Sequence, residues 1–160
     1  MDKTYIIRYQ EYGSVDELPC DDAALMAAAI DSAGRGYAPY SHFGVGAALR
    51  LCDGTVVCGN NQENAAYPSG LCAERTALFA ASAQHPEMRD YEALAIVGRD
   101  VGGKLCEAAP CGACRQVMLE YEQRQGHPMR VLCYLEGGGV RCFESVADLL
   151  PFGFELEPTV

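Results

Sequence analysis

Leu71-Cys72-Ala73-Glu74-Arg75 and Pro110-Cys111-Gly112-Ala113-Cys114 each place a cysteine where a helix begins. The run from Leu71 to Gln84 is alanine-rich and stops at His85-Pro86, and the run from Cys111 to Gln125 stops at Gly126 and Pro128. Between them, Tyr91 to Val97 is apolar, too short for a helix and bounded by Gly98, so it reads as a buried strand. Residues 100–109 read as a loop around Gly102-Gly103.

Working outward, Phe43–Leu51 and Thr55–Gly59 are two strands joined at Asp53-Gly54, a strong hairpin signal. A two-residue turn there sets Cys58 opposite Leu49, in the core. Val131–Leu135 and Val140–Phe143 flank Glu136-Gly-Gly-Gly139 and form a second hairpin. With a four-residue loop, Cys133 faces Cys142, either as two buried thiols or as a cross-strand bridge. Asp21 and Asp22 lead a helix over Ala23–Ala33 that Gly34 and Gly36 stop, and a short helix spans Ser145–Leu150. Tyr5, Ile7 and Tyr9 alternate, which suggests a short strand or contact arm near the N-terminus. The order α-β-β-α-β-α-β-β-α predicts an α/β fold, with one mixed sheet and helices on both faces.

The chain has 160 residues, 12 Lys+Arg against 22 Asp+Glu, and a net charge of −10. That length suits one domain, and the charge makes the surface a poor match for nucleic acid. The longest apolar run, Ala23–Ile30, is far short of a membrane span, and the first residues carry no apolar signal segment. The reading is therefore cytoplasmic, with neither membrane nor nucleic acid as partner.

Nine cysteines without an export signal favour ligands and buried thiols over a disulfide framework. A CxxC alone is a redox pair, a zinc half-site or a coincidence. Cys72, 39 residues before Cys111, supplies a third thiol from a second helix start. Three protein ligands with a fourth position open is the catalytic pattern for zinc. Glu74, offset from Cys72 around the helix, is placed to move protons and not to ligate. The alternative is a closed structural site with Cys106 as fourth ligand. His42 and His85 read as surface or loop residues, because three thiols already complete the set.

These residues carry a resemblance. Cys72-Ala-Glu with Pro110-Cys-x-x-Cys114 is similar to the zinc deaminase signature, with cysteine where histidine often stands. Tyr37-Ala-Pro-Tyr-Ser-His-Phe-Gly-Val-Gly-Ala-Ala-Leu49, Asn61-Gln-Glu-Asn-Ala-Ala-Tyr-Pro68, Cys72-Ala-Glu-Arg-Thr-Ala77 and Pro110-Cys-Gly-Ala-Cys-Arg-Gln116 together resemble the small homotetrameric cytidine deaminases. The likeness runs in order from about Asp22 to Phe154.

The resemblance implies a three-layer α/β/α fold around a mixed five-stranded sheet, with a short N-terminal strand added. Residues 1–20 would be an extension and 21–160 one deaminase domain. The implied activity is hydrolytic deamination of cytidine and deoxycytidine in pyrimidine salvage, with hydroxide at the zinc attacking C4 and Glu74 shuttling the proton. Cys72, Cys111 and Cys114 would hold one zinc per chain, with Arg75 hydrogen-bonding the thiolates. Asn61 and Glu63 would bind the ribose, Phe43 would stack on the base, and Ala73 would offer its backbone N–H. Tyr67 and Phe154 would complete a neighbouring subunit's site in a homotetramer.

Three other functions compete. They are a relative acting on another aminated ring, such as a blasticidin-type antibiotic, a nucleic-acid-editing deaminase, and a zinc-stabilised scaffold without activity. Asn61 and Glu63 argue for a nucleoside, and the −10 charge argues against nucleic acid.

Overall fold

A computed structural model describes residues 1–156, so the last four residues of the expected 21–160 domain lie outside the described residues. In chain order the elements are β1 (Gln10–Tyr12), α1 (Cys20–Ala33), β2 (Gly44–Leu51), β3 (Val56–Asn60), α2 (Ala73–Gln84), β4 (Tyr91–Arg99), β5 (Leu105–Cys106), α3 (Gly112–Gln125), β6 (Arg130–Tyr134) and β7 (Val140–Phe143). A 3-10 turn over Val146–Asp148 stands where a short helix was read, with the Ser145 side chain accepting from Ala147 N.

The sheet has seven strands where the resemblance implied five with a short N-terminal strand added, in the order β1-β7-β6-β4-β2-β3 with β5 on β4. One extra strand is β1, paired antiparallel to β7. The other arises inside the expected 100–109 loop: Gly103 takes φ +86°, turning the chain back so that Leu105-Cys106 pairs with Gly98-Arg99. Only β4 and β6 are parallel, as their α3 crossover requires.

Side-chain alternation divides the core. Ala47, Leu49 and Leu51 of β2 pack in one buried cluster with Ala77 and Leu78 of α2 and Met118 of α3. Ala48 between them packs in a second cluster with Leu25, Met26 and Ala29 of α1. Close approach of α2 depends on Gly59 of β3, where an added Cβ would sit 2.4 Å from Ala77 N and 2.5 Å from Ala73 O. The start of α2, which carries Cys72 and Glu74, is therefore seated directly on the sheet.

Both hairpins close on three-residue loops, one residue longer than the sequence reading in the first and one shorter in the second, and each slip moves a cysteine. Leu49 pairs with Val57 and Cys58 with Ala48, because Gly54 adopts φ +86° and closes a three-residue turn. Cys58 therefore leaves the expected core position and is exposed. In the second hairpin Cys133 pairs with Arg141, and Leu132 with Cys142. Cys133 and Cys142 thus lie on opposite faces of the sheet as free thiols, which removes the cross-strand bridge.

Candidate active site

The two helix starts read from the sequence meet at one point. Cys72 is the N-cap of α2 and Cys111 the N-cap of α3, both in extended backbone with no side-chain capping bond, so each thiol is free to face a ligand. Cys114 lies in the first turn of α3. The Cys72 and Cys111 sulfurs are 3.9 Å apart, those of Cys111 and Cys114 are 3.4 Å apart, and all three lie within 4.8 Å of one another. A tetrahedral zinc with Zn–S near 2.3 Å separates its sulfurs by about 3.8 Å, so the donor set fits that ion. Among the described residues no other His, Cys, Asp or Glu joins this group. The Cys106 sulfur instead faces the Lys104 carbonyl, which leaves the closed four-cysteine alternative without its fourth ligand.

The surroundings favour negative sulfur. The Cys72 thiol is pulled down to about 5, first by the Cys114 thiol donating to it and then, against the effect of burial, by Arg75 and Cys111. Cys114 moves the other way, because it supplies that hydrogen bond and is buried. Arg75 reaches Cys72 Sγ at 3.6 Å, and its buried Nε has no partner among the described residues. Two helix N-termini add positive potential at the same place.

Glu74 follows one residue into α2 and is only 3% exposed. Burial, reinforced by the charge on Cys72, pushes its carboxyl up to about 7. It lines a cavity of about 800 Å³ together with Cys72, Cys111, Arg75, Phe43, Asn61, Glu63 and Tyr67. That size suits a small organic ligand. Ala73, fully buried at the first position of α2, has one of the backbone N–H groups that a helix start leaves without an intrahelical acceptor.

The Asn61 side chain is held at both ends, accepting from Val45 N at 2.8 Å and donating to Phe43 O at 2.8 Å. One amide N–H remains for a ligand. Glu63 accepts from the backbone N–H groups of Tyr40 and Ser41 at 2.9 and 3.2 Å. Hydrogen bonds from Ser41 and Tyr40 hold its carboxyl below the usual range. The Tyr37–Ser41 connector thus orients the carboxylate, a role that its proline did not reveal in sequence.

Not every expected site residue reaches this cavity. Phe154 lies outside its lining, with its backbone N and O paired to the side chain of Gln116 on α3. Tyr67 lines the mouth but is 91% exposed. Tyr40, Ile96 and Glu107 line the cavity without having been singled out from sequence. No spacing marks them, because the Tyr37–Ser41 connector, β4 and the loop before Cys111 bring them together only in the fold.

Comparison with known proteins agrees with this geometry. Residues 19–126 match the family model described as the cytidine and deoxycytidylate deaminase zinc-binding region. A cytidine deaminase of Sporosarcina psychrophila is 41% identical over 137 residues, covering 86% of this chain and 93% of that protein. One from Halalkalibacterium halodurans is 47% identical over 100 residues, covering 62% and 71%. The crystal structure of cytidine deaminase from Burkholderia pseudomallei aligns with a TM-score of 0.71 at 45% identity, covering 82% of this chain and 97% of that one. By its fold, its three-thiol centre and these matches, the chain belongs to the cytidine deaminase family.

Proposed function

We propose that the protein hydrolyses cytidine and deoxycytidine to uridine and deoxyuridine with release of ammonia, holding one zinc per chain on Cys72, Cys111 and Cys114. The observation that carries this reading is a buried carboxyl, Glu74, beside a three-thiol cluster in a cavity that also presents Asn61 and Glu63. Zinc bound there supplies a Lewis acid that makes water a nucleophile near neutral pH.

The chain's own residues do the rest. Glu74 takes a proton from the attacking water and delivers it to N3 as the new C4–O bond forms. It then takes the remaining hydroxyl proton and passes it to the amino group, which leaves as ammonia when the C4–N bond breaks. Its burial suits this double role, since a carboxyl poised near neutrality both accepts and donates. Arg75 offsets the charge of three thiolates on one dication. Asn61, fixed by two backbone bonds, and Glu63, fixed by two more, meet the ribose hydroxyls. Phe43 stacks on the base, and the Ala73 N–H meets the ring.

We assign residues 1–20 as an extension and the remainder as a single deaminase domain working as a cytoplasmic homotetramer. Two exposed aromatics support the assembly, Tyr67 at 91% and Phe154 at 66% exposure, as rings available to a neighbouring subunit's site. No helix among the described residues is long and apolar enough to cross a membrane.

Loss of absorbance on adding cytidine to protein of measured zinc content tests the reaction. Glu74→Gln should keep the metal and lose at least about a thousandfold in kcat. Zinc-loaded wild-type protein that leaves cytidine unchanged would return the chain to the scaffold reading.

A further inference from the structure

The family match begins at residue 19, and the Burkholderia pseudomallei chain, itself covered to 97%, leaves 18% of this chain without a counterpart. The N-terminal segment is nonetheless built onto the body. β1 registers on β7, Gln10 against Cys142 and Tyr12 against Val140. Arg141 of β7 pairs with Glu11 at 2.7 Å and stacks over the Tyr9 ring at 5.2 Å, while Tyr9 packs at 5.7 Å from Phe143. Farther out, the Tyr5 hydroxyl donates to Ala147 O at 3.2 Å, and its ring lies 5.8 Å from that of Phe152.

Phe152 is where this strap ends, and its backbone is unusual. It holds φ +59°, the left-handed region that glycine tolerates and a bulky side chain rarely adopts, and its side chain is 94% exposed. Such a conformation persists only where neighbours impose it. On one side Gly153 is pressed against α3, where an added Cβ would lie 2.2 Å from Leu119 Cδ2. The Gln116 side chain then holds Phe154 through its N–H and carbonyl. Arg115 spans Leu149 O at 3.0 Å and Pro110 O at 2.8 Å, the residue directly before Cys111. On the open side the Tyr5 ring packs on that of Phe152, while its hydroxyl anchors it to Ala147 O in the preceding turn.

We infer that residues 1–12 are an intramolecular strap and that Tyr5 is a positioning residue for the C-terminal arm, holding Phe152 in its left-handed conformation so that Phe154 is presented in one orientation. The consequence for catalysis rests on the reading of Phe154 as part of a neighbouring subunit's site. The exchange measurement below does not rest on it.

The test uses the full-length, zinc-loaded protein. Tyr5→Ala should speed amide hydrogen exchange at Leu149, Leu150 and Phe154 by about tenfold. It should raise KM for cytidine at least about threefold while kcat and zinc content stay within about twofold. Tyr5→Phe, which keeps the ring and loses the hydroxyl, should fall between. Adding Phe152→Gly to Tyr5→Ala should return KM part of the way toward wild type, because glycine adopts positive φ without the steric cost that Phe152 carries. Unchanged exchange in Tyr5→Ala would overturn the strap, and faster exchange with unchanged KM would overturn its positioning role. A double variant no better than Tyr5→Ala would overturn the conformational route. If wild-type protein fails to deaminate cytidine, the functional reading falls, and the exchange arm still decides whether the strap exists.

Discussion

Arg75 shows what one residue contributes at this centre. Three thiolates around a bound dication would leave excess negative charge, and Arg75 is a side-chain cation in contact with the cluster, at 3.6 Å from Cys72 Sγ. Arg75→Ala should weaken zinc affinity by about 10–100-fold, measured by competition with a chromogenic chelator. Unchanged affinity would mean that the helix N-termini suffice alone. The clustering of the three thiols beside Glu74 was legible in sequence because their spacing on two helix starts encodes their geometry. The two backbone bonds on each of Asn61 and Glu63 were not, because their backbone partners come from residues brought alongside only by folding.

Among elements, α1 is locked to the sheet by a buried charge cluster. Asp22 in its first turn bonds Arg50 of β2 at 3.0 Å and Arg130 of β6 at 2.5 Å. Burial works to raise the Asp22 carboxyl, but the bonds from Arg130 and Arg50 prevail and hold it below its ordinary 3.8. A carboxyl lowered on folding stabilises the native state fully above that ordinary value and loses the contribution as pH falls through the lower folded value. Urea unfolding of wild type should therefore show a loss of stability below about pH 4 that Asp22→Asn lacks. Asp22→Ala, leaving two arginines without their carboxylate, should cost about 3–5 kcal/mol at pH 7. The hairpins teach the complementary lesson at this scale. Asp53-Gly54 and Gly137-Gly138-Gly139 announced turns, yet loop length by one residue decided which face Cys58, Cys133 and Cys142 occupy.

For the whole molecule, the exposed Tyr67 and Phe154 predict an enzyme whose sites are complete only in the assembled state. Sedimentation should report four chains per particle, and activity per chain should fall on dilution into the dissociating range. A monomer of full activity would remove the neighbouring subunit from the mechanism. The fold class, the positions of the helices and five of the strands, and the grouping of the three thiols at two helix starts beside Glu74 were determined by the sequence alone. Hydrophobic periodicity and ligand spacing are local properties of the chain, so they can be read without a structure. Strand β5 within residues 100–109, the hairpin registers and the cavity walls at Tyr40, Ile96 and Glu107 were decided only by the tertiary structure. So was the strap from Tyr5 to Phe152. Each depends on contacts between residues far apart in the chain, and packing selects among turns of nearly equal local energy.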